Sequence, residues 1–356
     1  MIIFRYLARE LGGSLFAVTI VLLMILLSGR LIRQLASAAA GEVSLEIVFY
    51  TLVLRLPYFL EMILPLALFI GILLAYGRFY ADNEMSVLTA TGFSERRLLA
   101  YTAVPAGALM LVVGLFSLVL SPWGAGKMEA LYQKQASLTE FELLAPGRFQ
   151  SMKKGSRVTY AESLSDDNTE MNRVFITDGH SLIVAERGTQ YVSEQTGSRF
   201  LELHQGRRYD WTPGSLSFQS LEFERYGVKI ADELAERRKL RKEAVPTLDL
   251  IGSDNPKHQA QLQWRISVIL MVPIVTLLAV PLSKVQPRQG RFARLFPAIV
   301  LFMVYISLLI AMTGMIEKGR LPPEIGLWSL HLVYFVIAMG LLFLPEWLRR
   351  RKVKTL

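Results

Sequence analysis

Hydrophobic and polar positions along the chain fall into two regimes. Six long apolar windows occupy residues 11–27, 52–76, 98–120, 266–282, 296–315 and 325–344. Each approaches the roughly 17–25 residues a helix needs to cross a hydrocarbon core about 30 Å thick. The third and fourth are separated by a long polar stretch, residues 124–263, so the windows divide three and three. Within that stretch, from about Gly147 to Tyr226, the periodicity shortens to β-type runs at residues 157–160, 173–176, 181–184, 200–203 and 216–223. Turn formers punctuate them at residues 165–168, Asp178-Gly179, Gly197, Gly206 and Pro213-Gly214. About seven short strands at this spacing predict a sandwich or jelly roll. Residues 127–144 read as an amphipathic helix leaving the third window, and residues 229–243 as a charged helical connector. Such connectors either reorient the β unit when the bundle moves or serve as plain linkers. The predicted fold is thus an α-helical membrane protein with six transmembrane helices and an inserted all-β, jelly-roll-like domain. Its parts are residues 1–123, 124–263 and 264–356.

Tryptophan and charge placement sharpen the boundaries. Trp123, Trp264, Trp328 and Trp347 all fall at window ends, the interfacial position an indole prefers. Lys and Arg mark cytoplasmic loops because they resist translocation. They gather at Arg5 and Arg9, at Arg78, Arg96 and Arg97, at Lys284, Arg288, Arg291 and Arg294, and in the tail from Arg349 to Lys354. Both termini are therefore expected in the cytoplasm, and parity places the β domain outside the cytoplasm. The basic run from Arg237 to Lys242 does not overturn this, since charge counting applies to loops below about 60 residues. The start of the chain imitates a signal peptide, with Ala36-Ser37-Ala38 as a cleavage-like sequence. Its apolar stretch exceeds the usual 7–15 residues, and Arg30 and Arg33 intrude, so cleavage is not expected.

Composition agrees with membrane insertion: 52% of the 356 residues are hydrophobic and 19% charged. The net charge of +9 belongs to loops and tail, which removes the need for a nucleic-acid partner. Cysteine is absent, which excludes disulfides, thiolate metal sites and a catalytic thiol. The sequence Gly124-Ala125-Gly126-Lys127 imitates a phosphate loop. Ser121 and Met128 stand where that motif requires Gly and Ser or Thr. No metalloprotease or nucleophile-elbow motif occurs, and the four histidines lack ligand spacing. His331, inside the last window, reads as a hydrogen-bonding residue at a helix interface, with a proton relay as the sharper alternative. Nothing points to a cofactor, a metal or catalysis by this polypeptide.

The most informative segment is the loop between the second and third windows, residues 78–97. Asp82 or Asn83 is placed to cap a short helix, Met85 and Leu88 give it an apolar stripe, Gly92 can end it, and Ser94 can cap the next helix. An apolar face there must dock on membrane surface or on a partner. The pattern Asp82-Asn83-Glu84-Met85 followed by Thr91-Gly92-Phe93-Ser94 resembles the coupling helix of the LptF/LptG lipopolysaccharide export permeases. Residues 1–10, 263–267 and 281–291 resemble the F-type side of that family, so the likeness covers nearly the whole chain. The resemblance implies a subunit of an ABC exporter that takes lipopolysaccharide from the outer leaflet of the bacterial inner membrane. It implies as partners a second, LptG-like permease, an LptB-like cytoplasmic ATPase dimer and an LptC/LptA-like periplasmic bridge. It also implies that Asp82, Glu84, Met85, Leu88 and Gly92 form the ATPase-coupling site, with Glu84 meeting a basic residue of the ATPase.

Cations also gather near the outer ends of the windows: Arg30, Arg33, Arg55, Lys318 and Arg320. They either snorkel to phospholipid headgroups or form a phosphate-gripping ring. The resemblance favours the second for Arg30, Arg33 and Lys318. Glu61 is either an ion-pair partner of Arg55 or a cavity-lining residue. Two other classes compete with an exporter: an ATPase-coupled mechanotransmission or assembly scaffold that moves no lipid, and a membrane sensor. The lack of any cytoplasmic signalling domain argues against a sensor.

Overall fold

A computed structural model of the chain describes residues 2–39, 45–137, 146–152, 157–165, 169–192, 199–212, 218–231, 242–285 and 295–354. The chain forms two compact units, one of Met1–Ile32, Phe49–Met128 and Leu240–Leu356, the other of Arg33–Val48 and Glu129–Lys239. The predicted connector at residues 229–243 falls partly outside the described residues, with 229–231 continuing a strand and 242–244 forming a 3₁₀ turn. The turn formers at residues 166–168, Gly197 and Pro213-Gly214 lie outside them too.

The first unit is helical. The helices are α1 (Ile2–Ala39), α2 (Leu45–Ala81), α3 (Glu84–Ala90), α4 (Glu95–Leu115), a π-helical turn Phe116–Leu120, α5 (Ser121–Ser137), α6 (Thr247–Leu250), α7 (Pro256–Leu282), α8 (Leu295–Glu317) and α9 (Trp328–Lys354), of which the end of α1, the start of α2 and the end of α5 belong to the second unit. Five helical stretches are long and apolar enough to cross a membrane: Ile2–Ala39, Val48–Ala81, Glu95–Leu131, Pro256–Leu282 and Leu295–Glu317. The apolar part of α9, Trp328–Phe343, is shorter. It starts later than the expected 325 because Gly326 (φ 31) sits in the turn before it.

Burial ranks these helices. Two-thirds of the most apolar window of α7 is enclosed (67%), and 61% of that of α2, while that of α1 is 0% enclosed. Helix α7 packs against α4, α8 and α9. Prolines 57 and 65 in α2 and 273 and 281 in α7 are accommodated inside helices, as membrane helices allow when neighbours satisfy the freed groups. Small residues set the closest approaches. A Cβ on Gly71 would stand 3.2 Å from the Leu15 backbone nitrogen, and one on Gly124 only 2.3 Å from the Leu54 carbonyl oxygen.

The second unit carries β1 (Gln150–Met152), β2 (Arg157–Leu164), β3 (Glu170–Thr177), β4 (Ser181–Val192), β5 (Arg199–Trp211) and β6 (Phe218–Ala231). They form one antiparallel sheet in chain order. This departs from the sequence expectation of about seven short strands in a sandwich or jelly roll: the described strands are fewer, longer and paired each with its successor. Short turns explain the order. At Asp178-Gly179 (φ 88) the Asp178 carboxylate accepts hydrogen bonds from His180 N, Ser181 N and Ser181 Oγ, which fixes a hairpin.

The pairing is interrupted along one row that crosses the sheet, Glu162, Arg173, Glu186, Gln205 and Glu224. Arg173 and Gln205 have positive φ of 48° and 50° there. Side-chain alternation reverses at this crease, so Met171 and Val174, three apart, both enter the core with Ala161, Ile176, Ile183, Ala185, Leu201 and Leu203. The opposite face holds a trough of about 1040 Å³ floored by Phe149, Tyr160, Phe175 and Val184, with Arg207 and Glu222 at its rim.

Candidate functional site: the corner helix and the membrane-end charges

The corner between α2 and α4 is built as its residues dictate. Asn83 occupies the cap position of α3 in the left-handed region (φ 61), without a side-chain capping bond. At the other end Phe93 N donates to Leu88 O (3.0 Å) and Gly92 N to Thr89 O (3.0 Å). With Gly92 at φ 88 this is the paired closure that a left-handed glycine permits. Ser94 then caps α4 by accepting from Arg97 N (3.3 Å).

The apolar face of α3 docks on its own bundle. Met85 is 1% exposed in the helical core, and Leu88 packs against that core. Polar ties hold the surroundings: Tyr6 Oη donates to Glu84 Oε2 (2.9 Å), Arg78 pairs with Glu10 (3.0 Å), and Lys284 pairs with Glu95. The ring of Tyr6 rests on buried Phe79, with centroids 5.3 Å apart. What faces outward is a short ridge of Asp82, Ser86, Val87 and Thr89, with half-buried Glu84 beside it. Met85, Leu88 and Gly92 thus shape the helix, and Asp82 and Glu84 offer its carboxylates.

The five outer cations are placed unequally. Arg30 is half-buried on α1, and its Nε has no hydrogen-bond partner among the described residues. Arg33, one turn on, is exposed. Lys318 and Arg320 are exposed in the turn after α8, which Gly319 (φ 68) makes possible and the bond from Arg320 N to Met315 O (2.9 Å) closes. Arg55 differs, because its Nε donates to Met128 Sδ (3.2 Å) and draws it against α5. Arg33 belongs to the second compact unit, whereas the other four lie in the first.

Sequence reasoning left Glu61 open and gave Arg265 no role. Glu61 is 3% exposed and accepts from Ser121 Oγ (2.7 Å). Arg265, 2% exposed, donates from Nη1 to Thr247 Oγ1 (2.6 Å) and from Nη2 to the carbonyls of Glu243 (3.1 Å) and Val245 (2.8 Å). An arginine at the head of an apolar window, flanked by Ser267, was the available signal, since such a charge must find partners. His331 fulfils the helix-interface expectation, with its Nδ1 2.6 Å from Tyr305 Oη and Tyr305 stacked on Tyr334 at 4.0 Å.

A corner helix seated between two apolar spans, a long helical frame and one antiparallel sheet inserted between its halves are now in view. The family model "Lipopolysaccharide export system permease LptF/LptG" matches residues 5–344. The chain belongs to the LptF/LptG family. It is 29% identical over 348 residues to the lipopolysaccharide export system permease protein LptF of Escherichia coli K12, covering 96% of this chain and 94% of that protein. The LptF of Shigella flexneri matches to the same extent. The LptG of Haemophilus influenzae is 26% identical over 196 residues, 52% of each chain. As an LptF/LptG-family member with several apolar helices, the chain is a permease subunit of the lipopolysaccharide transport system and an inner-membrane protein.

Proposed function

We propose that this chain works in an ABC-type exporter, extracting lipopolysaccharide from the outer leaflet of the inner membrane and passing it to a periplasmic bridge. The family match over residues 5–344 carries the reading. In this reading α9 is the sixth span, both termini are cytoplasmic, and the sheet lies in the periplasm. ATP is hydrolysed on a separate LptB-like dimer, which receives the outward ridge of α3 with Asp82 and Glu84. A second, LptG-like permease completes the bundle, and LptC/LptA-like proteins continue the route.

Arg30, Arg33, Lys318 and Arg320 meet the phosphates of the lipid, the guanidinium groups bidentately and the Lys318 ammonium as a point charge. In this reading Arg55, whose Nε is held at Met128, joins them in binding the lipid. The aromatic trough of the sheet is the apolar surface on which acyl chains are received.

The test is reconstitution of the complex in proteoliposomes. Lipopolysaccharide should stimulate ATP hydrolysis and leave the membrane only with ATP. Glu84→Ala should lower both while the protein stays folded. ATPase association without any lipid movement would instead identify a mechanotransmission scaffold, and full export by Glu84→Ala would remove α3 from the coupling role.

A further inference from the structure

The buried polar cluster around Arg265 joins four separate stretches of the chain. Helix α2 brings Glu61. The π-helical turn and the start of α5 bring Ser117, Leu118 and Ser121. Helix α7 brings Arg265 itself. The fourth stretch is the strap of residues 242–250, which follows the strand-rich unit in the chain and leads into α7. The strap accepts from both terminal nitrogens of the arginine's fork, through two main-chain carbonyls and the hydroxyl of Thr247. That hydroxyl in turn donates to Leu118 O (2.5 Å), and Ser117 Oγ donates to the carbonyl of Arg265 (3.2 Å).

The π-helical turn and the proline that follows it explain these bonds. Ser121 N reaches back five residues to Phe116 O, so the ordinary ladder of four-residue bonds is broken there. In a regular helix Leu118 O would accept from the N–H of residue 122, but Pro122 has none; away from water the carbonyl needs another donor, and Thr247 Oγ1 supplies it. At the far side of the strap, Lys242 pairs with Glu317 of α8. The strap is therefore gripped by α7 and α8 from the second half of the bundle and by the π-helical turn from the first.

We propose that Arg265 is a positioning residue for export: its fork locks the strap to the π-helical turn, so that α7, α4 and the strap move together during export. The role rests on the export reading above. A lysine cannot replace this fork, because a single ammonium cannot span two carbonyls and a hydroxyl in fixed directions. A partner that merely filled space would tolerate the exchange.

The natural lack of cysteine allows an independent readout. Exposed Val119 and Leu248, neighbours of the bonded Leu118 and Thr247, can be replaced by cysteine and joined with a short bifunctional maleimide in lipopolysaccharide-free vesicles. Arg265→Lys should lower the crosslinking yield. In the ATPase-bearing complex it should cut lipid release about tenfold while ATP hydrolysis stays within about twofold. Thr247→Val, which keeps the buried charge compensated, should show the same split to a smaller degree and carries the test if Arg265→Lys does not fold. Unchanged crosslinking, or a parallel fall of hydrolysis and release, would overturn the proposal. A wild-type complex that releases no lipid would refute the export reading and leave the crosslinking result to decide whether Arg265 holds the strap.

Discussion

Replacing Gly124 by alanine probes a close approach of α5 to the backbone of α2. The added Cβ would lie 2.3 Å from the Leu54 carbonyl oxygen of α2. Close carbon–oxygen contacts settle near 3.3 Å, so the two backbones must part by about 1 Å. Neither side can yield by rotating a side chain, because both are helical main chain. Overpacking of this kind costs about 1–3 kcal/mol, against which alanine's helix preference over glycine returns about 1 kcal/mol. Gly126, two residues on, is the internal control. Its Cβ would meet nothing nearer than Ala244 O at 3.7 Å, an ordinary contact. Thermal unfolding in detergent, followed by tryptophan fluorescence, should show Gly124→Ala melting a few degrees below wild type, at about 2–4 °C per kcal/mol for chains of some 150–250 residues. Gly126→Ala should melt at or slightly above wild type. The bond from Arg55 to Met128, one turn along α5, should weaken with the displaced helix. Equal melting of the two variants would refute the reasoning and show that α2 and α5 are not in backbone contact at this point.

Two further outcomes follow from particular contacts. Gln263 of α7 donates to Pro323 O (2.6 Å) and accepts from Leu327 N (3.1 Å), closing the turn that starts α9. Gln263→Ala should cost about 1–3 kcal/mol for each buried partner left unpaired, and Gly326→Ala, whose Cβ would stand 2.1 Å from Gln263 Oε1, should be non-additive with it in a double-mutant cycle of melting temperatures. In the sheet, burial pushes the Asp178 carboxyl up, but hydrogen bonds from Ser181 and His180 and the charge of Arg157 outweigh it and hold the group below the usual carboxylate range. A depressed folded value means its stabilisation is complete above about pH 4 and is lost as pH falls through the lowered value. Asp178→Ala should therefore speed hydrogen exchange around residues 177–182 at neutral pH and make no difference in strong acid; a difference that persists there would assign the effect to packing.

Much of the architecture was legible because the bilayer imposes a coarse and uniform demand. Apolar length marks spans whatever they pack against, and five helices coincide with five of the predicted windows. The corner helix was legible for a local reason: Gly92 and Ser94 act within a few residues, and the structure gives both the roles expected of them. The strands were found but not their extent or arrangement. The crease through Arg173 and Gln205 reverses the two-residue alternation, so a reader of periodicity sees short runs where the chain makes long strands.

Sequence by itself determined that this chain enters a membrane, that its spans divide around an inserted β unit, and that a capped helix turns the corner between two of them. These follow from hydrophobicity and from turn chemistry, which act between near neighbours. Only the tertiary structure decided where the charges go. It turned Met85 into the bundle, tied Glu84 to Tyr6, drew Arg55 to Met128, and gave Glu61 the hydroxyl of Ser121. Glu84 and Tyr6 stand 78 positions apart, Arg55 and Met128 73, and Glu61 and Ser121 60, and a buried charge selects its partner by proximity in space, which spacing along the chain does not record.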